Sequence, residues 1–250
     1  GFRDYRGGGR SSGRETIGRV AAGAVAVKLL GQMGIELYAY ASAIGGIAMD
    51  RDSFNLEERD NNPFAMPDAG AALKIKKYAD RKLEECNSMG GIIECVVKNM
   101  PAGIGEPVFD KLDANLAKAI MSIGAVKGVE IGDGFAAADS TGLENNDAFR
   151  MKDGHIVKQT NHAGGILGGM SDGSDIILRA AVKPTPSIAA TQHTVNKAGE
   201  EIDISIHGRH DPMIVPRAVV VVEAMTAITL VDMLFMGMTS RLDRIADFYK

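Results

Sequence analysis

The sequence predicts an α+β protein in which antiparallel strands pack around helices built from small residues. Segments of helical and strand periodicity alternate irregularly along the 250 residues, with hairpin-like pairs and without a repeated strand–helix–strand unit. Residues 12–31 and 212–236 predict helices rich in alanine, glycine or valine, which let another backbone approach closely. No segment has a linker-like composition, so we expect residues 1–250 to form a single domain.

The first elements follow from capping and turn signals. Ser12 and Glu15 have the spacing of a capping box, so we predict that a helix begins at Ser12 and ends at Gly31. After it we predict a strand over residues 35–49, a loop over 61–68, an exposed charged helix over 68–86 and a strand over 90–100.

The next helix is predicted over residues 107–123. Pro107 suits its first position, and Val108, Leu112, Leu116 and Ile120 would share one apolar face. The remaining predictions are strands over 125–135, 175–183 and 199–208, an exposed polar excursion over 139–160, a turn-rich loop over 164–174, and a helix from Pro212 to about Met236.

The composition is that of a soluble globular protein. Hydrophobic residues make up 45% and charged residues 24%, and the formal net charge of −4 argues against generic nucleic-acid binding. Cys86 and Cys95 form no disulfide framework, and no uninterrupted apolar stretch reaches 18 residues. We therefore predict a cytoplasmic protein without a membrane span.

A candidate anion site lies at the start of the first predicted helix. Arg10, Ser11, Ser12 and Arg14 combine two guanidinium groups and two hydroxyls with the free N–H groups of a helix N-terminus, a combination that suits phosphate or carboxylate. The sequence fits equally well a Ser12 that only caps the helix beside solvated arginines.

A second candidate is the stretch "GRHDP", residues 208–212. Arg209, His210 and Asp211 form a cluster capable of acid–base chemistry, although Asp211 before Pro212 is also a typical helix N-cap. His207 and His210 have a possible metal spacing, but without a third ligand we expect no metal site.

A weak internal repeat relates these two stretches. Both run Gly-Arg, a polar pair, a second arginine and then a small apolar helix, with Arg19 and Arg217 as the second arginines. Two such helix starts could face one ligand, and chance similarity between two helices explains the pattern equally well.

Five long stretches resemble the chorismate synthase family. They are "GGGRSSGRETIGRVAAGAVAVKLL", "PAGIGEPVFDKLDANLAKAIMSIGAVKGVEIGDGF", "TNHAGGILGGMSDGS", "KPTPSI" and "GRHDPMIVPRAVVVVEAM". They occur in the family's order and span nearly the whole chain, which makes the resemblance far more specific than any single motif.

The resemblance implies conversion of 5-enolpyruvylshikimate 3-phosphate to chorismate and phosphate, a 1,4-elimination that requires reduced FMN. This is the last shared step of aromatic amino-acid biosynthesis. The resemblance also implies a β-α-β sandwich, a homotetramer, and an external reductant for the flavin, with NADP as an associated nucleotide.

Site residues carry over position by position. The resemblance implies that Ser12, Arg14 and Arg209 bind the anionic groups of the substrate and that Asp211 manages the proton on flavin N5. The flavin contacts it implies are Arg10, Ser11, Ser12, Gly124, Ala125, Gly168, Lys183, Pro184, Thr185, Pro186, Ser187 and Arg209.

The sequence also departs from the family pattern. The family's N-terminal "SHG" and "PGH" segments, whose histidines are its expected acid–base groups, are absent, and none of the five histidines here has a matching context. The chain is interpreted either as the C-terminal two-thirds of a longer enzyme or as a truncated, non-catalytic flavin- or anion-binding relative. Its activity by itself is left open.

Individual positions also differ from the family pattern. Pro186 replaces a serine, which removes a hydroxyl and a backbone donor and should weaken the flavin site. Gly124 stands where a side chain is common in the family.

Overall fold

The computed structural model describes residue 9, residues 12–206 and residues 211–250. Its irregular order of helices and strands is α+β, as predicted. The α-helices are α1 (Ile17–Gln32), α2 (Glu58–Asn61), α3 (Ala69–Glu84), α4 (Leu112–Met121), α5 (Gly142–Asn145), α6 (Val215–Met238) and α7 (Leu242–Phe248). The strands are β1 (Glu36–Ile44), β2 (Ile47–Ala48), β3 (Gly91–Lys98), β4 (Val126–Ile131), β5 (Phe149–Lys152), β6 (His155–Lys158), β7 (Ile166–Leu167), β8 (Met170–Ser171), β9 (Ile176–Val182), β10 (Gln192–Val195) and β11 (Glu201–Ile204).

The largest sheet has five strands in the order β2-β1-β3-β9-β4. The hairpins β1–β2, β5–β6, β7–β8 and β10–β11 are antiparallel. Strand β3 has five consecutive buried residues, so both of its faces are covered. The sequence shows this as the nearly continuous apolar run "IIECVV".

The chain divides into two compact units. The first contains Gly1–Ala39, Glu94–Ala180 and Val220–Lys250, and the second contains Tyr40–Ile93 and Ala181–Val219. The arrangement of residues 1–250 as one domain stays a prediction.

Helices α1 and α6 pack backbone against backbone in the first unit, as their small residues predicted. A Cβ added to Gly23 would overlap the Ala224 side chain and stand 2.6 Å from the Ala224 Cα. Both positions are buried. Any larger side chain at this crossing would force the two helices apart.

Two predicted helix starts and one predicted core position are wrong. Helix α4 begins at Leu112 because the main chains of Glu106 and Asp110 bond to each other at 2.8 and 2.9 Å and close a loop. Leu112, Leu116 and Ile120 are fully buried as expected, but Val108 lies in that loop and is 75% exposed. Helix α6 begins at Val215.

Most of the polar excursion is exposed as predicted, but the side chains of Asp147 and Lys158 are buried and the segment is more ordered than a loop. It contains α5, which Thr141 and Glu144 cap with a complete capping box, and the hairpin β5–β6. Asp153 and Gly154 have φ values of 51° and 78°, as a two-residue hairpin turn requires. The dipeptide Asp-Gly is the sequence signal for this turn.

We predict that Gly23→Ala lowers the free energy of unfolding by about 1–3 kcal/mol, because the new methyl group overlaps Ala224. Gly31→Ala in the same helix is the control. A Cβ at Gly31 meets nothing within 4 Å, so this change should stabilise the helix by about 0.5–1 kcal/mol. Urea unfolding measures both. Equal effects of the two changes would contradict the packing argument.

Candidate functional site

The chain enters α1 through a short 3-10 helix, Gly13–Thr16. Ser12 caps it, and the Ser12 hydroxyl accepts a hydrogen bond from the Arg14 amide at 3.3 Å. The predicted capping box with Glu15 does not form, since the Glu15 carboxylate pairs with Arg19 at 3.1 Å instead. The Arg14 side chain lies at the surface, available to an anionic ligand.

Arg19 joins two of the predicted site segments within the first unit. Its Nη1 donates to the Ser122 hydroxyl at 2.7 Å, while its Nε donates to Glu15. Ser122 ends α4 and stands just before Gly124 and Ala125. The structure therefore ties the start of α1 to Ser122, two residues before Gly124, through one guanidinium group.

The Gly124–Ala125 segment has an open, unusual backbone. Ala125 has a φ of 71°, a conformation that is uncommon for alanine. A Cβ added to Gly124 would meet nothing within 4 Å, so crowding by the described residues does not explain the glycine at this position.

Gly168 forms the turn of the hairpin β7–β8 with Gly169. Their φ values are 61° and 87°, which a two-residue turn of this kind requires. A Cβ added to Gly168 would meet nothing within 4 Å, whereas one added to Gly169 would meet the Lys111 side chain. Gly168 thus presents bare backbone at an open position.

A buried ion cluster holds the loop that leads to this hairpin. Lys158 pairs with Asp172 and lies 3.7 Å from Asp147, and the Lys158 side chain is 5% exposed. Asp147 also accepts hydrogen bonds from the Thr160 hydroxyl and from the amides of His162 and Ala163.

These contacts lower the pKa of both carboxyl groups. Burial acts to raise the pKa of Asp147, but hydrogen bonds from amides and a hydroxyl and the charge of Lys158 together hold it below its ordinary value. For Asp172, burial is likewise outweighed by the hydrogen bond from Lys158 and those from Ser174.

In the second unit, Lys183–Ser187 follow directly after β9. Lys183 and Pro186 are exposed. The Thr185 carbonyl accepts a hydrogen bond from the Ser88 hydroxyl at 2.7 Å. The Thr185 Oγ1 is buried and has no hydrogen-bond partner among the described residues.

Asp211 is not the N-cap of α6, which begins four residues later. Its two carboxylate oxygens instead lie 2.7 and 3.0 Å from the two terminal nitrogens of Arg217. This bidentate pair fixes the orientation of a carboxylate that is 35% exposed. The neighbouring Pro212 carbonyl accepts from the Met89 amide.

Some predicted positions lie outside the described residues. These are Arg10, Ser11 and Arg209, together with His207 and His210 of the metal hypothesis. The ligand role of the internal repeat stays a hypothesis, and Arg19 and Arg217 each pair with a nearby carboxylate.

Sequence reasoning missed Arg19 and Ser88 as residues that hold the site segments. Glu15 and Arg19 have the i, i+4 spacing of a helical ion pair, which was an available signal. Ser88 had no such signal, because its partner Thr185 is 97 residues away.

Comparison with known proteins decides the family. The profile of the chorismate synthase family matches residues 1–235. The chain belongs to the chorismate synthase family. This match confirms the resemblance of the five sequence stretches. It also confirms that the chain is an enzyme of this family, which is a lyase of the shikimate pathway.

Individual chorismate synthases are similar over the full chain. The enzyme of Lachnospira eligens is 68% identical over 250 residues, and that of Agathobacter rectalis is 66% identical. In both cases the match covers 100% of this chain and 68% of the relative. The enzyme of Archaeoglobus fulgidus is 54% identical over 245 residues, covering 96% of this chain and 68% of the relative.

A crystal structure of chorismate synthase has the same fold. The TM-score is 0.76 at 31% identity, with 95% of this chain and 69% of that chain covered.

Among the described residues, one helix, α6, is long and apolar enough to cross a membrane. Half of its most apolar window is buried inside the protein, and core helices of soluble proteins meet the same criteria. This helix does not by itself indicate a membrane protein.

We predict that Lys158→Met lowers the free energy of unfolding by about 3–5 kcal/mol at neutral pH, because two buried carboxylates lose their cation. The exposed Lys127→Met is the control and should change little. Urea unfolding measures both.

The same cluster predicts a pH dependence. Because folding depresses the two carboxyl pKa values, their stabilising contribution is present above the ordinary value of 3.8 and is lost as the pH falls through the folded values. The difference in free energy of unfolding between Lys158→Met and the unchanged chain should therefore shrink as the pH falls. A difference that grows would contradict the stabilising role of the ion cluster.

Proposed function

We propose that the chain carries the flavin- and phosphate-binding part of a chorismate synthase that converts 5-enolpyruvylshikimate 3-phosphate to chorismate and phosphate with reduced FMN. The observation that carries this proposal is the Thr185 hydroxyl in the "KPTPS" segment, which is buried and has no hydrogen-bond partner among the described residues. A buried hydroxyl without a partner is destabilising, so a ligand group that reached Thr185 and bonded to it would be stabilised there.

The described residues fit a flavin on further points. Gly168 and Gly124 leave bare, open backbone, and a flat aromatic ring system needs such close approach to the main chain. Lys183 offers an exposed cation, which suits a phosphate group. The residues that would hold FMN are Ser12, Gly124, Ala125, Gly168 and Lys183–Ser187, with Arg10, Ser11 and Arg209 outside the described part.

Substrate binding is assigned to the arginines. The substrate bears two carboxylates and a phosphate, and guanidinium groups bind such oxyanions with paired hydrogen bonds. Arg14 is exposed beside the cap formed by Ser12. A cation there, together with Arg209, would neutralise the phosphate as it leaves and thereby stabilise the transition state.

FMN, when bound in its reduced form, would supply electron density to the substrate ring as the phosphate departs. Asp211 would hold or transfer a proton at flavin N5. The Arg217 pair would orient this carboxylate, and the group stays partly exposed.

The remaining expectations belong to this proposal. They are a homotetramer, an external flavin reductant, a cytoplasmic location, and no association with nucleic acid or membrane. The net charge of −4 supports the absence of nucleic-acid binding.

The first experiment is a fluorescence titration of FMN with the 250-residue chain, with and without 5-enolpyruvylshikimate 3-phosphate. We expect quenching of the flavin, and tighter binding in the presence of substrate because phosphate and carboxylates add contacts to Arg14. Arg14→Ala should remove most of the substrate effect, and the exposed Arg244→Ala is the control. An absence of quenching in both titrations would overturn the proposal.

Thr185→Val separates a ligand role from a structural one. Since the hydroxyl has no partner among the described residues, its removal should leave the thermal midpoint of the free chain unchanged or higher. The dissociation constant for FMN should rise about 5- to 10-fold. Thr185→Ser, which keeps the hydroxyl, should retain binding. A drop in stability with unchanged FMN affinity would show that the hydroxyl serves the fold.

A further inference from the structure

Residues 86–91 connect two segments of the proposed site within the second unit. The Ser88 hydroxyl donates to the Thr185 carbonyl at 2.7 Å. The next amide, that of Met89, donates to the Pro212 carbonyl at 2.8 Å. Thr185 belongs to the proposed flavin segment, and Pro212 adjoins Asp211. The consecutive residues Ser88 and Met89 therefore bond to both of these segments.

The neighbouring positions leave this segment little freedom to move. A Cβ added to Gly90 would overlap the Val182 carbonyl and stand 3.1 Å from the Pro184 nitrogen. The Cys86 carbonyl accepts from the Ala190 amide at 3.2 Å. Met89 is buried, whereas Ser88 is only half-buried.

Ser88 is the member of this segment whose side chain makes the connection. Its hydroxyl fixes the peptide that follows Thr185, and the Thr185 Oγ1 on the same residue is buried without a described partner. Without the Ser88 bond, the Thr185 peptide could rotate and turn that hydroxyl away from a ligand.

We infer that Ser88 is a positioning residue that orients Thr185 for the flavin and keeps the Lys183–Ser187 segment in register with Asp211. This inference rests on the proposed function, since it assigns how the flavin segment is held. Ser88 acts through Thr185 and is not itself assigned a contact with flavin or substrate.

The test compares Ser88→Ala with a matched control. Ser205 makes the same kind of bond in the same unit, with its hydroxyl donating to the Ala189 carbonyl at 2.7 Å. Both alanine variants should lower the thermal midpoint by about 2–4 °C. Only Ser88→Ala should raise the dissociation constant for FMN, by about 5- to 10-fold, and Ser88→Thr should restore it.

The outcomes are distinct. Equal FMN affinity of Ser88→Ala and the unchanged chain would overturn the inference, and so would an equal loss in Ser205→Ala. If the unchanged chain itself does not quench FMN, the proposed function fails and the inference fails with it. The titration of the unchanged chain gives that result before any variant is measured.

Discussion

Close contact between main chains is the constraint on which this fold depends. At Gly23 the α1 helix touches α6 with no room for a side chain, and at Gly90 the chain lies against the Val182 carbonyl. Contacts of this kind exclude water from peptide groups and restrict each element to one position. They also explain why a chain with 30 glycines and no tryptophan still forms a buried core.

The segments of the candidate site lie on elements that such main-chain contacts hold in place. Its described segments lie at helix ends, hairpin turns and the exit of a strand, where backbone groups stay available for a ligand. Polar contacts from neighbouring elements then fix each segment: Arg19 bonds to Ser122 just before Gly124, the Lys158 cluster holds the loop before Gly168, and Ser88 bonds to Thr185. A site made of loops is held in place by a few such bonds.

Much of the fold was accessible from local sequence patterns. Leu112, Leu116 and Ile120 of the predicted apolar stripe are buried, although Val108 is not. The strand predicted over residues 90–100 contains β3. The start of α4 was missed because a backbone bridge between Glu106 and Asp110 competes with the helix. No local pattern of residue types predicts such a backbone bridge.

The candidate site was proposed from the sequence only through the family resemblance. Helix-start arginines and turn glycines occur in many proteins, so their spacing left a structural and a functional interpretation equally open. The pairing of Asp211 with Arg217 is more local, since the two are six positions apart in the sequence. The bond from Ser88 to Thr185 could not be predicted from the sequence, because no periodicity links a loop residue to a turn 97 positions later.

The adjacency of Ser88 and Met89 has an evolutionary consequence. A planar peptide group joins the two residues and their Cα atoms are about 3.8 Å apart, so a displacement at one is transmitted to the other. A mutation that shifts the Thr185 turn should therefore also strain the hydrogen bond to the Pro212 carbonyl beside Asp211. Substitutions in these two distant segments should be inherited as compensated pairs, which constrains how quickly either can diverge.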